Sequence, residues 1–122
     1  MRAAHVVVGF SIVGGFALLW LWGLGAWIAR RGPGRPFWWL VASLQVALLV
    51  QLVAGVVLLI GGGDRGVLHY LYGVGFPALV LGAAHWLARE AFAERPWVPF
   101  ALAGFVAFGL TLRALMTGLG VG

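Results

Sequence analysis

The chain contains no cysteine, which excludes disulfides, thiolate metal sites, iron–sulfur clusters and covalently attached c-type haem. Charge is scarce as well. Aspartate and glutamate together number 3, lysine is absent, and charged residues make up only 9% of the 122 residues, against 63% hydrophobic. A water-soluble domain of this length needs more polar side chains than that to cover its surface. The acidic residues, Asp64, Glu90 and Glu94, fall at the ends of apolar runs. Their placement argues against a proton-coupled transporter built on carboxylates within the membrane. No nucleophile–base arrangement and no phosphate-binding loop stands in their place.

What the chain has instead is long apolar sequence. The stretches 4–29, 37–60, 67–92 and 97–120 each exceed the roughly 20 residues that cross a bilayer. The connections are short: "RRGPGRP" (30–36), "GGGDRG" (61–66) and "AERP" (93–96). Short connections make consecutive helices antiparallel neighbours. The expected fold is therefore an all-α, integral membrane, antiparallel four-helix bundle, a single domain over residues 1–122. Twenty glycines suit close packing of membrane helices, and Pro77 is expected to kink the third helix. The opening "MRAAHVVVGFSIVGG" starts like a signal peptide, but its apolar run continues through three tryptophans to Ile28 and ends in a basic loop. It reads as a retained first helix.

The formal net charge is +5, and all 8 basic residues are arginine, mostly at helix ends. Such placement reads as topology signals and lipid-headgroup contacts, not as a nucleic-acid surface. Arg30, Arg31, Arg35, Arg89 and Arg95 lie on the side of the first and third loops, against Arg2 and Arg65 on the other. By the positive-inside rule both termini lie outside. Trp38, Trp39 and Trp97 then serve as anchors at the cytoplasmic headgroups.

In that topology His5 and His69 open helices 1 and 3 at the same depth, near the outer face. Two opposed imidazoles at one depth are the axial ligand set of a b-type haem. Gly9 follows His5 by four residues and Gly73 follows His69 by four. Each histidine thus has a residue without a side chain on its own face, leaving room for a flat macrocycle. Either histidine alone reads first as an amphipathic residue at the membrane boundary; it is the matched pair, with matched glycines, that brings ligation level with that reading. Arg113, inside helix 4, is read either as gripping a haem propionate or as snorkelling to the outer headgroups. Gln51 falls in the outer half of helix 2 and reads as a contact to a cofactor edge or a quinone carbonyl. Gln45 reads as interhelical glue. Tyr70 and Tyr72 offer hydroxyls to a propionate, or sit in the aromatic belt. His85 lies 16 residues beyond His69, about 24 Å along a helix, so it belongs to the opposite face, near Trp86 and Arg89. Glu90 and Glu94 read as a solvated cluster with Arg89 and Arg95.

"HVVVG", then "QLVAGVVLL" (51–59), then "VLHYLYG" (67–73) resemble one four-helix half of a haem A synthase. In that family each half has a histidine at the outer start of two helices, sixty-odd residues apart, with a Q-x3-G segment between. Here His5 and His69 are 64 apart, with Gln51 and Gly55 in between. The resemblance covers about residues 5 to 90. It implies a haem b held by His5 and His69, in the cell membrane of a prokaryote, beside a respiratory oxidase. Arg2 stands where the family has a glutamate thought to take part in oxidising the haem methyl group. The helix order also differs, since here a helix follows the second histidine instead of preceding the first. The family's chemistry on the haem is therefore not carried over; electron transfer or haem handling is. A homodimer would restore the family's two haem sites. Two other readings stand beside this one: a cofactor-free accessory subunit of a larger respiratory or transport complex, and a quinone-binding subunit using Gln51 and His69.

Overall fold

The computed structural model describes residues 2–61, 69 and 71–118. Four α-helices account for nearly all of them: α1 Arg2–Ala29, α2 Arg35–Ile60, α3 Phe76–Glu90 and α4 Trp97–Gly118. A π-helical turn, Leu71–Gly75, runs directly into α3. There is no strand among the described residues. Where no water is available, a helix satisfies its backbone N–H and C=O groups within its own segment. The helices α1, α2 and α4 contain spans, Ala3–Ala29, Arg35–Leu58 and Trp97–Thr117, long and apolar enough to cross a membrane. Their outward side chains are large and apolar, with Leu21, Leu49, Val53 and Phe105 all exposed. That is a surface suited to lipid.

The third expected span, 67–92, is helical at His69 and from Leu71 to Glu90, but its winding changes along the way. A kink was expected at Pro77; instead the widened turn Leu71–Gly75 precedes it, and the regular helix α3 runs for 15 residues from Phe76, beside Pro77. Proline has no N–H to offer the Gly73 carbonyl four residues back. The widened turn Leu71–Gly75 lies at that interruption, as π-turns often do where the regular hydrogen-bond ladder is broken. Val67, Leu68, Asp64, Arg65, Leu119 and Gly120, which entered the expected spans and orientation, lie outside the described residues.

α1 ends on a left-handed residue. Arg30 has φ 59°, the Arg30 N–H donates to the Trp27 carbonyl at 3.2 Å, and the Arg31 N–H donates to the Ala26 carbonyl at 3.2 Å. This pair of reversed bonds closes the helix and turns the chain into the short glycine- and proline-rich connection to α2.

The helices α1 and α4 pack most closely, α4 also covers α3 and the π-turn, and α2 lies along α1. Small residues make the α1–α4 approach feasible. A Cβ on Gly104 would lie 3.1 Å from the Phe16 carbonyl oxygen and 3.2 Å from the Trp20 nitrogen, so the two backbones nearly touch. A Cβ on Gly23 would collide with the Ala101 methyl group. In lipid, helices associate through such packing more than through exclusion of water. Phe16, Leu19, Phe37 and Ala107 are wholly buried in the resulting core. Thr111, the buried hydroxyl among the described residues, donates to the Ala107 carbonyl at 2.7 Å within its own helix.

This packing sorts the polar side chains into two groups. His5, Gln51, His69 and Thr117 gather at one end of the molecule. Gln45, His85, Arg95 and the tryptophans Trp27 and Trp97 lie toward the other.

Candidate functional site

His5 stands in the first turn of α1, where it is half-buried. The Gln51 side-chain amide of α2 crosses to it and donates through Nε2 to the His5 backbone carbonyl at 2.7 Å. That approach depends on Gly9, because a Cβ there would sit 3.2 Å from the Gln51 Nε2 and 3.6 Å from Leu115. One turn along α2, Gly55 faces the imidazole: a Cβ there would lie in ordinary contact, 3.7 Å from the His5 Cε1. Gln51 and Gly55 are four residues apart and share a helix face, so both reach His5. The Gln51 Oε1 is buried and has no hydrogen-bond partner among the described residues.

His69 is also half-buried and is held from α4. Its Nδ1 lies 2.9 Å from the Ala114 carbonyl oxygen and 3.2 Å from the Thr117 hydroxyl. The Thr117 hydroxyl itself donates to the Ala114 carbonyl at 2.9 Å. A carbonyl oxygen only accepts, so the proton resides on Nδ1. In the neutral ring Nε2 then carries a lone pair. A histidine whose Nδ1–H is fixed by a carbonyl is oriented as metal-ligating histidines usually are.

The two imidazoles meet. Their ring centroids are 6.0 Å apart with 61° between the planes. Two imidazoles ligating one metal from opposite sides, each at roughly 2 Å, have centroids about 6 Å apart. No group of three or more histidine, cysteine or carboxylate side chains able to hold a metal ion occurs among the described residues. A metal held by this pair would therefore have to bring its other ligands with it.

Gly9 and Gly73 were expected to leave space for a macrocycle. Next to Gly9 lie the Gln51 amide and Leu115, and a Cβ on Gly73 would meet the Ala114 methyl at 3.6 Å, an ordinary contact. Arg113 is half-buried on α4, and no carboxylate among the described residues pairs with it; the ion pair among those residues is the exposed Arg89–Glu90, at 3.5 Å, toward the other end of the molecule. Arg113 precedes Thr117 by four residues and thus shares its helix face, beside the residues that hold His69. Tyr70 and the side chain of Tyr72 lie outside the described residues.

Sequence reasoning missed Ala114 and Thr117. Their only signal is a threonine one turn beyond Arg113 in an otherwise apolar helix end. His85 is remote from the pair. Its Nε2 lies 2.6 Å from the Gln45 Oε1, and its ring meets Phe100 edge-on with centroids 4.8 Å apart. At that end of the molecule, Arg95 stands 5.5 Å from the centre of the Trp27 ring, and Trp38 packs between Phe37 and Phe100.

Comparison with protein-family models, with curated proteins and with solved structures returns no match for this chain.

Proposed function

We propose that this chain is a haem b-binding membrane protein in which His5 and His69 are the axial ligands. The observation that carries the reading is the juxtaposition of two imidazoles 64 residues apart in sequence, at a centroid distance of 6.0 Å, with His69 already held through Nδ1–H. The proposed topology is an antiparallel four-helix bundle with both termini outside, in the cell membrane of a prokaryote. The resemblance to haem A synthase halves suggests electron transfer or haem handling beside a respiratory oxidase.

Each residue near the pair has a role in this reading. Ala114 and Thr117 fix the His69 tautomer, so that Nε2 is the ligating nitrogen. Gln51 ties α2 to the backbone of His5 and thereby sets the height of that ring. Gly55 keeps the flank of the His5 ring free of a side chain. Arg113, without a carboxylate partner among the described residues, would bind a propionate, a bond strongest in bidentate form. When bound, the haem would supply reversible one-electron exchange.

A second reading, a cofactor-free accessory subunit, is favoured by a different observation. The two rings already meet each other, and protein atoms lie beside Gly9 and Gly73. Haem titration of the purified apoprotein separates the two. Saturation at one haem per chain supports the ligand reading, and non-saturating uptake supports the accessory subunit.

A further inference from the structure

The histidine pair leaves His85 unused, and its surroundings have the makings of a second site. The His85 ring is exposed on α3, held at Nε2 by Gln45 of α2 and against its face or edge by Phe100 of α4. Three helices thus fix one imidazole. Beside it is a shallow cleft of about 470 Å³, open to the outside of the bundle and lined on its protein side by Gly82, His85, Trp86, Ala88 and Arg89 of α3. A Cβ on Gly82 would meet nothing within 4 Å, and Trp86 is 57% exposed. Gly82 therefore leaves the helix backbone open beside His85, next to the exposed Trp86 side chain.

His85 precedes Glu90, the last residue of α3, by five positions, or about 7.5 Å along the axis. It lies just inside the level of the exposed Arg89–Glu90 pair. An imidazole facing the membrane is costly unless both its nitrogens are satisfied. Among the described residues only Nε2 has a partner.

We propose that this cleft binds the headgroup of a lipophilic quinone or its hydroquinone. A ligand reaching the cleft from the bilayer needs an apolar tail. To lie on Trp86 it needs a flat ring, and to engage Nδ1 it needs an oxygen. The Gln45–His85 pair suits both oxidation states. With Nε2–H donating to the Gln45 Oε1, Nδ1 accepts from a phenolic O–H. With the amide turned round, Gln45 donates to Nε2, and Nδ1–H donates to a quinone carbonyl. Binding alone is proposed, with no electron transfer, and it is independent of whether haem sits at the other end.

The test is a titration of the purified protein, in lipid nanodiscs, with a short-chain benzoquinone and with its hydroquinone, read by tryptophan fluorescence. Wild type should show saturable quenching, much of it lost in Trp86→Phe. His85→Phe should raise the apparent Kd at least about tenfold, the scale of one lost hydrogen bond. Gly82→Leu should do the same by filling the cleft without touching the His85–Gln45 pair. Quenching that rises linearly with concentration overturns the proposal, because it reports partition into lipid. So does saturable quenching unchanged in both His85→Phe and Gly82→Leu. Displacement of the quinone by anionic lipid, abolished by Arg89→Gln but not by His85→Phe, would also overturn it, by making the occupant a phospholipid headgroup.

Discussion

The side-chain amide of Gln51 donates to the backbone carbonyl of His5 at 2.7 Å, across 46 residues of sequence. It enters through the gap left by Gly9 and ties α2 to the first turn of α1. The carbonyl is one that α1 already uses in its own ladder, so the glutamine adds a second bond to an oxygen with two lone pairs.

Gln51→Leu removes that bond while keeping the side chain's bulk. Stability should fall by about 1 kcal/mol, the scale of one hydrogen bond between membrane helices. Unfolding in mixed detergent micelles measures it. A variant as stable as wild type would mean that the bond contributes nothing.

Thr117→Val tests the support of His69. The Nδ1–H keeps the Ala114 carbonyl but loses the hydroxyl 3.2 Å away. In the proposed haem complex, affinity should fall by about tenfold, as when a group supporting a metal ligand is removed, while helix content stays unchanged. Titration with haem, with circular dichroism as the control, reads both. Unaltered affinity would detach Thr117 from the site.

The α1–α4 approach has an internal control. Gly23→Ala places a methyl group against Ala101, whereas a Cβ on Gly25 meets nothing within 4 Å. The first substitution should cost about 1–3 kcal/mol by overpacking, and Gly25→Ala should be neutral or slightly stabilising. Equal effects of the two would contradict the close packing of these helices.

Arg30 is a non-glycine residue at φ 59°. Left-handed backbone costs an L-residue roughly 1–2 kcal/mol, and glycine avoids it. Arg30→Gly should therefore raise the unfolding midpoint by a gain of up to about 1 kcal/mol. A lowered midpoint would show that the arginine side chain outweighs the strain.

Much of this arrangement was legible in the chain. The apolar runs expected to form α1, α2 and α4 end within a few residues of the observed helices, because arginine, glycine and proline break apolar periodicity abruptly. His5 and His69 were expected at one depth because short connections leave little freedom in register. The third segment was less legible. Pro77 signals an interrupted ladder, but sequence does not say whether the chain will kink or widen around it; here it widens over Leu71–Gly75. The glycines were legible as gaps and not as to what fills them. Beside Gly9 lie Gln51 and Leu115, and beside Gly73 lies Ala114; three-dimensional neighbours on other helices leave no periodic trace. Thr117 was missed for the same reason: a lone hydroxyl near a helix end has many uses, and only the fold brings it to His69.

The most direct measurement is a reduced-minus-oxidised absorption spectrum of the protein purified from haem-replete cells, beside His5→Ala and His69→Ala. A haem held between these two imidazoles requires a low-spin b-type spectrum in wild type that is lost in both variants. A colourless wild type, or a spectrum that survives both substitutions, would contradict it and leave the pair as a helix–helix contact.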